Sequence, residues 1–155
     1  MRRSRKMVRG AQVVGLLAVM TTVAACGSSG SSKPSQGSAK STVKGAKFTV
    51  AVVPKSVGLF YWGTVHAGAE AAAQKYHVNI VWKGTETETD VSGQVNILQD
   101  FITKHISGIA YAATDAHGLV QTAQSAKKAG IPVVNIDSGI TPQTPPLVAT
   151  NNITA

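Results

Sequence analysis

From Lys47 onward, short apolar runs alternate with amphipathic stretches, and this alternation restricts the fold more than any other feature. The apolar runs have the length and β-branched content of buried strands. They cover residues 48–53, 78–82, 108–113, 131–136 and, more briefly, 147–150. Between them, apolar residues recur at three- and four-residue steps, which predicts helices over residues 61–76, 91–105 and 119–129.

Strands and helices that alternate in this way form right-handed crossover units with parallel strands. The sequence therefore predicts an α/β fold with an open, mostly parallel, flavodoxin-like sheet in the order 2-1-3-4-5 and helices on both faces. Asp90 precedes the second helix as an N-cap residue would. The predicted buried stripe of the first helix comprises Trp62, Val65, Ala69, Ala72 and Tyr76.

Three consecutive aromatic residues, Phe60, Tyr61 and Trp62, follow the first strand, in a chain with only three Phe, three Tyr and two Trp. In an open α/β sheet, this position lies at the carboxyl edge of the strands, where ligands bind. The other strands end in polar residues at the same edge. These are Asp115, Asp137, Thr150 and Asn151.

Aromatic faces beside carboxylates and amides suit a small polyhydroxylated ligand, because the C–H face of a sugar ring packs on an aromatic plane while its hydroxyls bond to polar groups. Each candidate also has a structural interpretation. Trp62 lies on the helix stripe and fits a core position, Asp115 fits a cap of the third helix, and Asp137 opens an Asp-Ser-Gly turn sequence.

The sequence argues against an enzyme and predicts no cofactor and no metal site. It contains neither a phosphate-binding glycine loop, a dinucleotide fingerprint nor a nucleophile elbow. The four histidines lack metal-ligand spacing. An esterase-like alternative would need a serine nucleophile, for which Ser138 is the candidate, without a motif around it.

The first 46 residues predict export and anchoring. A basic start is followed by an apolar run over residues 11–25 that is too short for a membrane span. It ends in Val23-Ala24-Ala25-Cys26, which is similar to the bacterial lipobox. The alternative is an ordinary signal peptide that ends near a cysteine. We predict a signal peptide over 1–25, lipidation of Cys26, a disordered Ser/Gly/Lys tether over 26–46 and a folded lobe over 47–155.

The formal charge of +8 belongs to this leader and not to the folded part. From Lys47 onward, seven lysines balance seven carboxylates. A nucleic-acid-binding domain carries its positive excess on the domain itself. Nucleic acid is therefore not predicted as a partner.

Five segments together carry a resemblance to a known family. They are VAVVPKSVGLFYWGTVHAGAEAAA, TDVSGQVNILQDFI, GIAYAATDAHGL, AKKAGIPVVNIDSG and VATNN. In this order and spacing they resemble the type 1 periplasmic sugar-binding proteins of ABC importers, in the ribose- and autoinducer-2-binding branch. The resemblance implies that Tyr61 and Trp62 line the sugar ring, that Asp137 bonds to its hydroxyls, and that Thr150 and Asn151 mark the first crossing to a second lobe.

Two places in the sequence depart from the pattern of ribose-type members. Ser138 stands where many of them have Arg, and Gly58-Leu59 stand where an asparagine is often found. The resemblance also implies a second lobe, which a chain ending at Ala155 does not include.

The resulting hypothesis is an extracytoplasmic, lipid-anchored solute-binding component of an ABC importer, with a sugar-like ligand and permease subunits as partners. The alternatives are a surface sensor that presents its ligand to a chemoreceptor or kinase, and a non-functional truncated fragment.

Overall fold

The computed structural model describes residues 39–151. The strands of this part are β1 Ala39–Ser41, β2 Thr49–Val53, β3 Asn79–Trp82, β4 Gly108–Tyr111, β5 Val133–Ile136 and β6 Leu147–Val148. The helices are α1 Phe60–Tyr76, α2 Val91–Thr103 and α3 Val120–Lys128. The predicted N-cap of α2 is confirmed, since Asp90 Oδ1 accepts the backbone N–H of Gly93 at 2.8 Å.

All strands join one sheet in the order β1-β3-β2-β4-β5-β6. Every neighbouring pair from β3 to β6 is parallel, and only β1 runs antiparallel, beside β3. The five predicted strands therefore follow the predicted order 2-1-3-4-5. The carboxyl ends of β2, β4, β5 and β6 consequently meet at one edge.

Strand β1 lies where a disordered tether was predicted, so the predicted folded start at Lys47 is too late. Residues 39–41 pair with residues 80–82 of β3. Val43 is buried, and its backbone N–H donates to Asn79 Oδ1 at 2.8 Å. Backbone hydrogen bonds join this segment to the sheet. Because such bonds do not depend on apolar side chains, the segment has no apolar periodicity that would have predicted it.

Apolar cores cover both faces of the sheet, as predicted. One contains buried side chains of α2, α3 and β4, including Leu98, Ala123 and Tyr111. The other packs α1 against β2 and β3 through Trp62, Ala73 and Trp82, among others.

The predicted buried stripe of α1 is only partly correct. Trp62 and Ala73 are buried, whereas Ala72 is exposed and Tyr76 is 66% exposed. Alanines stand at three successive positions, 71–73, so apolar spacing alone does not show which of them faces the sheet. Tyr76 is the last residue of the helix, where the Lys75 ammonium lies 5.3 Å from its ring centroid.

A buried amide ties α2 to the ends of two strands. Gln94 is fully buried, and its Nε2 donates to the backbone oxygens of Pro54 at 3.2 Å and Ala112 at 2.8 Å. Its Oε1 accepts the backbone N–H of Thr114 at 2.9 Å and the Thr114 hydroxyl. Because Pro54 follows β2 and Thr114 follows β4, this side chain fixes the carboxyl edge at two adjacent strands.

Candidate functional site

A cleft of about 610 Å³ opens at the carboxyl edge of the sheet, in the volume range of small-molecule sites. It is lined by Tyr61, Trp62, Val65, Ile136, Asp137, Val148, Ala149 and Thr150. The structure thus brings together four of the predicted site residues, which belong to three separate segments of the chain. Parallel strand direction is the cause, because it places the start of α1 beside the ends of β5 and β6.

Asp137 is the charged residue of this lining. Its backbone has a φ of 61°, an uncommon conformation for a residue with a Cβ atom but one that Asp adopts more readily than most. Its N–H donates to Val148 O at 2.9 Å, which joins it to the edge strand. Residues held in this region of φ and ψ are concentrated at functional sites.

Three side chains surround the Asp137 carboxylate. The Tyr61 hydroxyl donates to Oδ1 at 3.0 Å, and the Ser138 hydroxyl lies 3.0 Å from Oδ2 as a donor. Lys55 Nζ is 3.7 Å from Oδ2. Ser138 is further tied to the segment that follows β4, since its backbone oxygen accepts the backbone N–H of Ala113 at 3.0 Å.

Lys55 was not among the predicted site residues. It follows Pro54 directly at the end of β2, and the only signal in the sequence is a charge placed just beyond a buried strand. Its partner lies three strands away along the chain, so the ion pair follows from tertiary structure. The Asp137 carboxylate therefore has the Lys55 ammonium beside it.

Trp62 combines the two roles that its position suggested. It is 1% exposed and belongs to the core cluster beneath α1, yet it also lines the cleft. Its indole N–H donates to Glu88 Oε1 at 2.7 Å, so the ring is held in place by the acidic loop before α2. The ring of Tyr61 meets it edge-on, with centroids 4.9 Å apart.

Tyr61 differs from Trp62 in its exposure, which is 54%. The hydrogen bond to Asp137 raises the pKa of the Tyr61 hydroxyl, and desolvation and the Asp137 charge add to that rise. The hydroxyl therefore stays protonated at neutral pH and serves as a donor.

Phe60, Asp115 and Asn151 lie outside the lining of the cleft. The Phe60 side chain is 92% exposed. Asp115 Oδ1 accepts the backbone N–H groups of Gly118 at 2.6 Å and His117 at 2.9 Å, which supports the turn that leads into α3. These two hydrogen bonds lower the pKa of the Asp115 carboxyl. Asp115 is therefore a turn residue and not the predicted cap of the third helix, because the N-cap position of α3 is Leu119 and has no side-chain hydrogen bond.

Within residues 39–151, no group of three or more His, Cys, Asp or Glu side chains is arranged to hold a metal ion. None of the helices described there is long and apolar enough to cross a membrane. Cys26, the predicted lipidation site, lies outside the described residues.

The family model for the periplasmic binding protein domain matches residues 50–155. The chain belongs to this family. The match confirms the resemblance drawn from the sequence, and it covers every residue of the cleft lining.

Three similar proteins illustrate the family. The D-ribose/D-allose-binding protein of Pseudomonas aeruginosa is 36% identical over 97 residues, which are 61% of this chain and 30% of that protein. The periplasmic component of an ABC-type sugar transport system from Hahella chejuensis superposes with a TM-score of 0.65 at 27% identity, over 68% of this chain and 39% of that one. A carbohydrate transporter solute-binding protein from Agrobacterium radiobacter, in complex with D-arabinose, superposes with a TM-score of 0.59 at 33% identity. The match covers 61% of this chain and 32% of that one.

The chain thus spans between about 30% and 40% of the length of these relatives. Its homologues are sugar-binding, periplasmic components of ABC transporters, and they are binding proteins rather than enzymes. This family membership implies an extracytoplasmic location for the protein.

Proposed function

We propose that this family member is the sugar-binding component of an ABC importer, or the N-terminal lobe of one, with its sugar held in the cleft beside Asp137. The observation that carries the proposal is the Asp137 carboxylate in a cleft that also holds the exposed ring of Tyr61. A charged acceptor beside an aromatic ring matches the two surfaces of a sugar, its hydroxyls and its C–H face.

In this proposal, the ring of Tyr61 and the edge of Trp62 contact the sugar, and a sugar hydroxyl donates to Asp137. Thr150 also lines the cleft, and its hydroxyl would be a further polar contact. Hydrogen bonds to an ionised group are stronger than those between neutral groups, so the contact with Asp137 would be the strongest polar contact of this set.

The charge of the site supports a neutral ligand. Lys55 lies 3.7 Å from the carboxylate, and Asp137 is the only ionisable residue other than Tyr61 in the lining. A cationic ligand would compete with Lys55 for the carboxylate, whereas a neutral sugar adds a hydroxyl without disturbing that pair.

The proposed anchor and partners complete the function. Lipidation of Cys26 would hold the protein at the outer face of the cell membrane, where the permease subunits that receive the sugar reside. Permease and ATPase genes beside this gene would support import, whereas a sensor gene there would favour ligand presentation to a chemoreceptor or kinase.

The experiment is calorimetric titration of the full-length gene product with D-allose, D-ribose and D-arabinose, before and after Asp137→Asn. This change keeps the shape of the side chain and removes its charge, so affinity should fall by about tenfold or more. Trp62→Ala is a poorer test, because removing a buried Trp also destabilises the fold.

Asp115→Asn is the matched control. It makes the same chemical change at the end of a neighbouring strand, outside the cleft lining. Its affinity should equal that of the wild type. Full affinity in Asp137→Asn, or equal losses in both variants, would contradict the proposed site.

A further inference from the structure

The Asp137 carboxylate has few acceptor positions left for a ligand. An ionised carboxylate offers about four, two on each oxygen. Tyr61 takes one on Oδ1 at 3.0 Å, while the Ser138 hydroxyl and the Lys55 ammonium both lie at Oδ2, at 3.0 and 3.7 Å. Tyr61 thus occupies one of the two positions on Oδ1, and these three contacts leave the other open.

Tyr61 is the neighbour of Asp137 that also faces the ligand space. It lines the cleft, whereas neither Ser138 nor Lys55 belongs to the lining. The Tyr61 ring packs edge-on against Trp62, and the indole N–H of Trp62 donates to Glu88 at 2.7 Å. Because Trp62 is held in this way, its contact restricts the position of the Tyr61 ring. The Tyr61 hydroxyl is a donor at neutral pH, and the Asp137 hydrogen bond raises the Tyr61 pKa further above its ordinary value.

We propose that the Tyr61 hydroxyl is a specificity-determining group, which fills one acceptor position of Asp137 and limits a bound sugar to a single hydroxyl contact there. This inference rests on the proposed sugar-binding function. A sugar that presents two neighbouring hydroxyls to Asp137 has to displace the Tyr61 hydroxyl. A sugar that presents one hydroxyl uses the open position on Oδ1.

The decisive variant is Tyr61→Phe, which keeps the ring and removes only the competing donor. Because Tyr61 is 54% exposed, the change leaves no buried group unsatisfied in the core. In calorimetric titrations with D-allose, D-ribose and D-arabinose, we expect about three- to tenfold tighter binding of the sugars that offer adjacent hydroxyls to Asp137. The gain should vanish for the monodeoxy derivative that lacks one of those two hydroxyls.

Tyr76→Phe is the matched control, since it makes the same change on an exposed tyrosine at the other end of α1. It should leave every affinity unchanged. Tighter binding in Tyr61→Phe alone supports the inference.

A second measurement tests the contact without any sugar. Tyrosine ionisation is followed by ultraviolet absorbance against pH, and the component missing from Tyr61→Phe belongs to Tyr61. Asp137→Asn removes the charge and the strong acceptor that raise this pKa, so the Tyr61 component should move to lower pH. An unmoved component would overturn the proposed contact and the inference.

The outcomes separate the inference from the proposed function. If the wild type binds a sugar and Tyr61→Phe binds all three sugars equally or more weakly, the inference is overturned while the function stands. If neither protein binds any of the three sugars, the proposed function fails, and the inference fails with it. Binding by Tyr61→Phe alone would support both.

Discussion

Two aspartates that end neighbouring strands differ in what surrounds them. Asp137 contacts the side chains of Tyr61, Ser138 and Lys55, whereas Asp115 accepts two backbone N–H groups of its own turn. The sequence places both at one sheet edge but shows no difference in role, because the partners of Asp137 come from distant segments. Placement was therefore predictable from strand direction, and partner choice was not.

The backbone hydrogen bonds of Asp115 predict a pH-dependent contribution to stability. The N–H groups of Gly118 and His117 lower its folded pKa below the unfolded value of about 3.9. A lowered folded pKa means that the stabilisation is complete above the unfolded pKa and is lost as the pH falls through the folded value. Asp115→Asn retains an acceptor oxygen for the turn but has no charge to titrate.

We therefore expect the free energy of unfolding of Asp115→Asn to fall less steeply than that of the wild type as the pH drops below about 3.9, the unfolded pKa. Urea denaturation across this range measures the slope. Asp100→Asn is the comparison, because the hydrogen bond from Lys104 lowers the Asp100 pKa. Removing the Asp100 charge should therefore also make stability fall less steeply with decreasing pH. An unchanged slope in Asp115→Asn would refute the assignment.

At the scale of elements, the strand order was predictable and the polar links between elements were not. Apolar runs and helical spacing suffice for the order because crossover handedness leaves few arrangements of such units. Strand β1 was not predicted because Ala39, Lys40 and Ser41 pair through their backbone and show no apolar pattern. The burial of Gln94 was not predicted for a related reason, since periodicity assigns the buried face of a helix to apolar residues.

Gln94 makes α2 a structural support of the cleft edge, and its loss should be costly. Gln94→Met has a similar volume but leaves the backbone oxygens of Pro54 and Ala112 and the N–H of Thr114 without this partner. Unsatisfied buried groups cost about 1–3 kcal/mol each, so we expect a loss of at least about 3 kcal/mol in the free energy of unfolding. Urea denaturation at neutral pH measures it.

Gln74→Met provides the control for that experiment. Gln74 lies exposed on α1, where Met and Gln have similar helix propensities, so stability should change little. If Gln94→Met were as stable as Gln74→Met, the hydrogen bonds of the buried amide would not support the edge.

At the scale of the whole molecule, charge and fold divide the chain into parts with different tasks. The balanced charge from Lys47 onward suits a lobe that binds a neutral ligand, and the excess of basic residues precedes it. Strand β1 attaches the segment after residue 38 to the sheet by pairing Ala39 with Trp82, at the carboxyl end of β3. The chain therefore enters the lobe at the same sheet edge as the cleft.

This entry point gives the proposed lipid anchor a geometric consequence. Thirteen residue steps separate Cys26 from Ala39, and each extends the chain by at most about 3.6 Å, so Ala39 would lie within about 47 Å of a lipidated Cys26. The cleft edge would thus stay close to the membrane that holds the permease. Buried acyl methylenes contribute about 0.8 kcal/mol each, which would account for the proposed retention there.

Cys26→Ser should therefore release the protein from the membrane fraction and abolish its labelling by radioactive palmitate in growing cells. It should leave sugar affinity unchanged, since the described cleft residues begin at Tyr61. Asp137→Asn is the reciprocal control, with normal labelling and membrane retention but weakened binding. Membrane retention of unlabelled Cys26→Ser would show that the leader, and not a lipid on the single cysteine, holds the protein at the membrane.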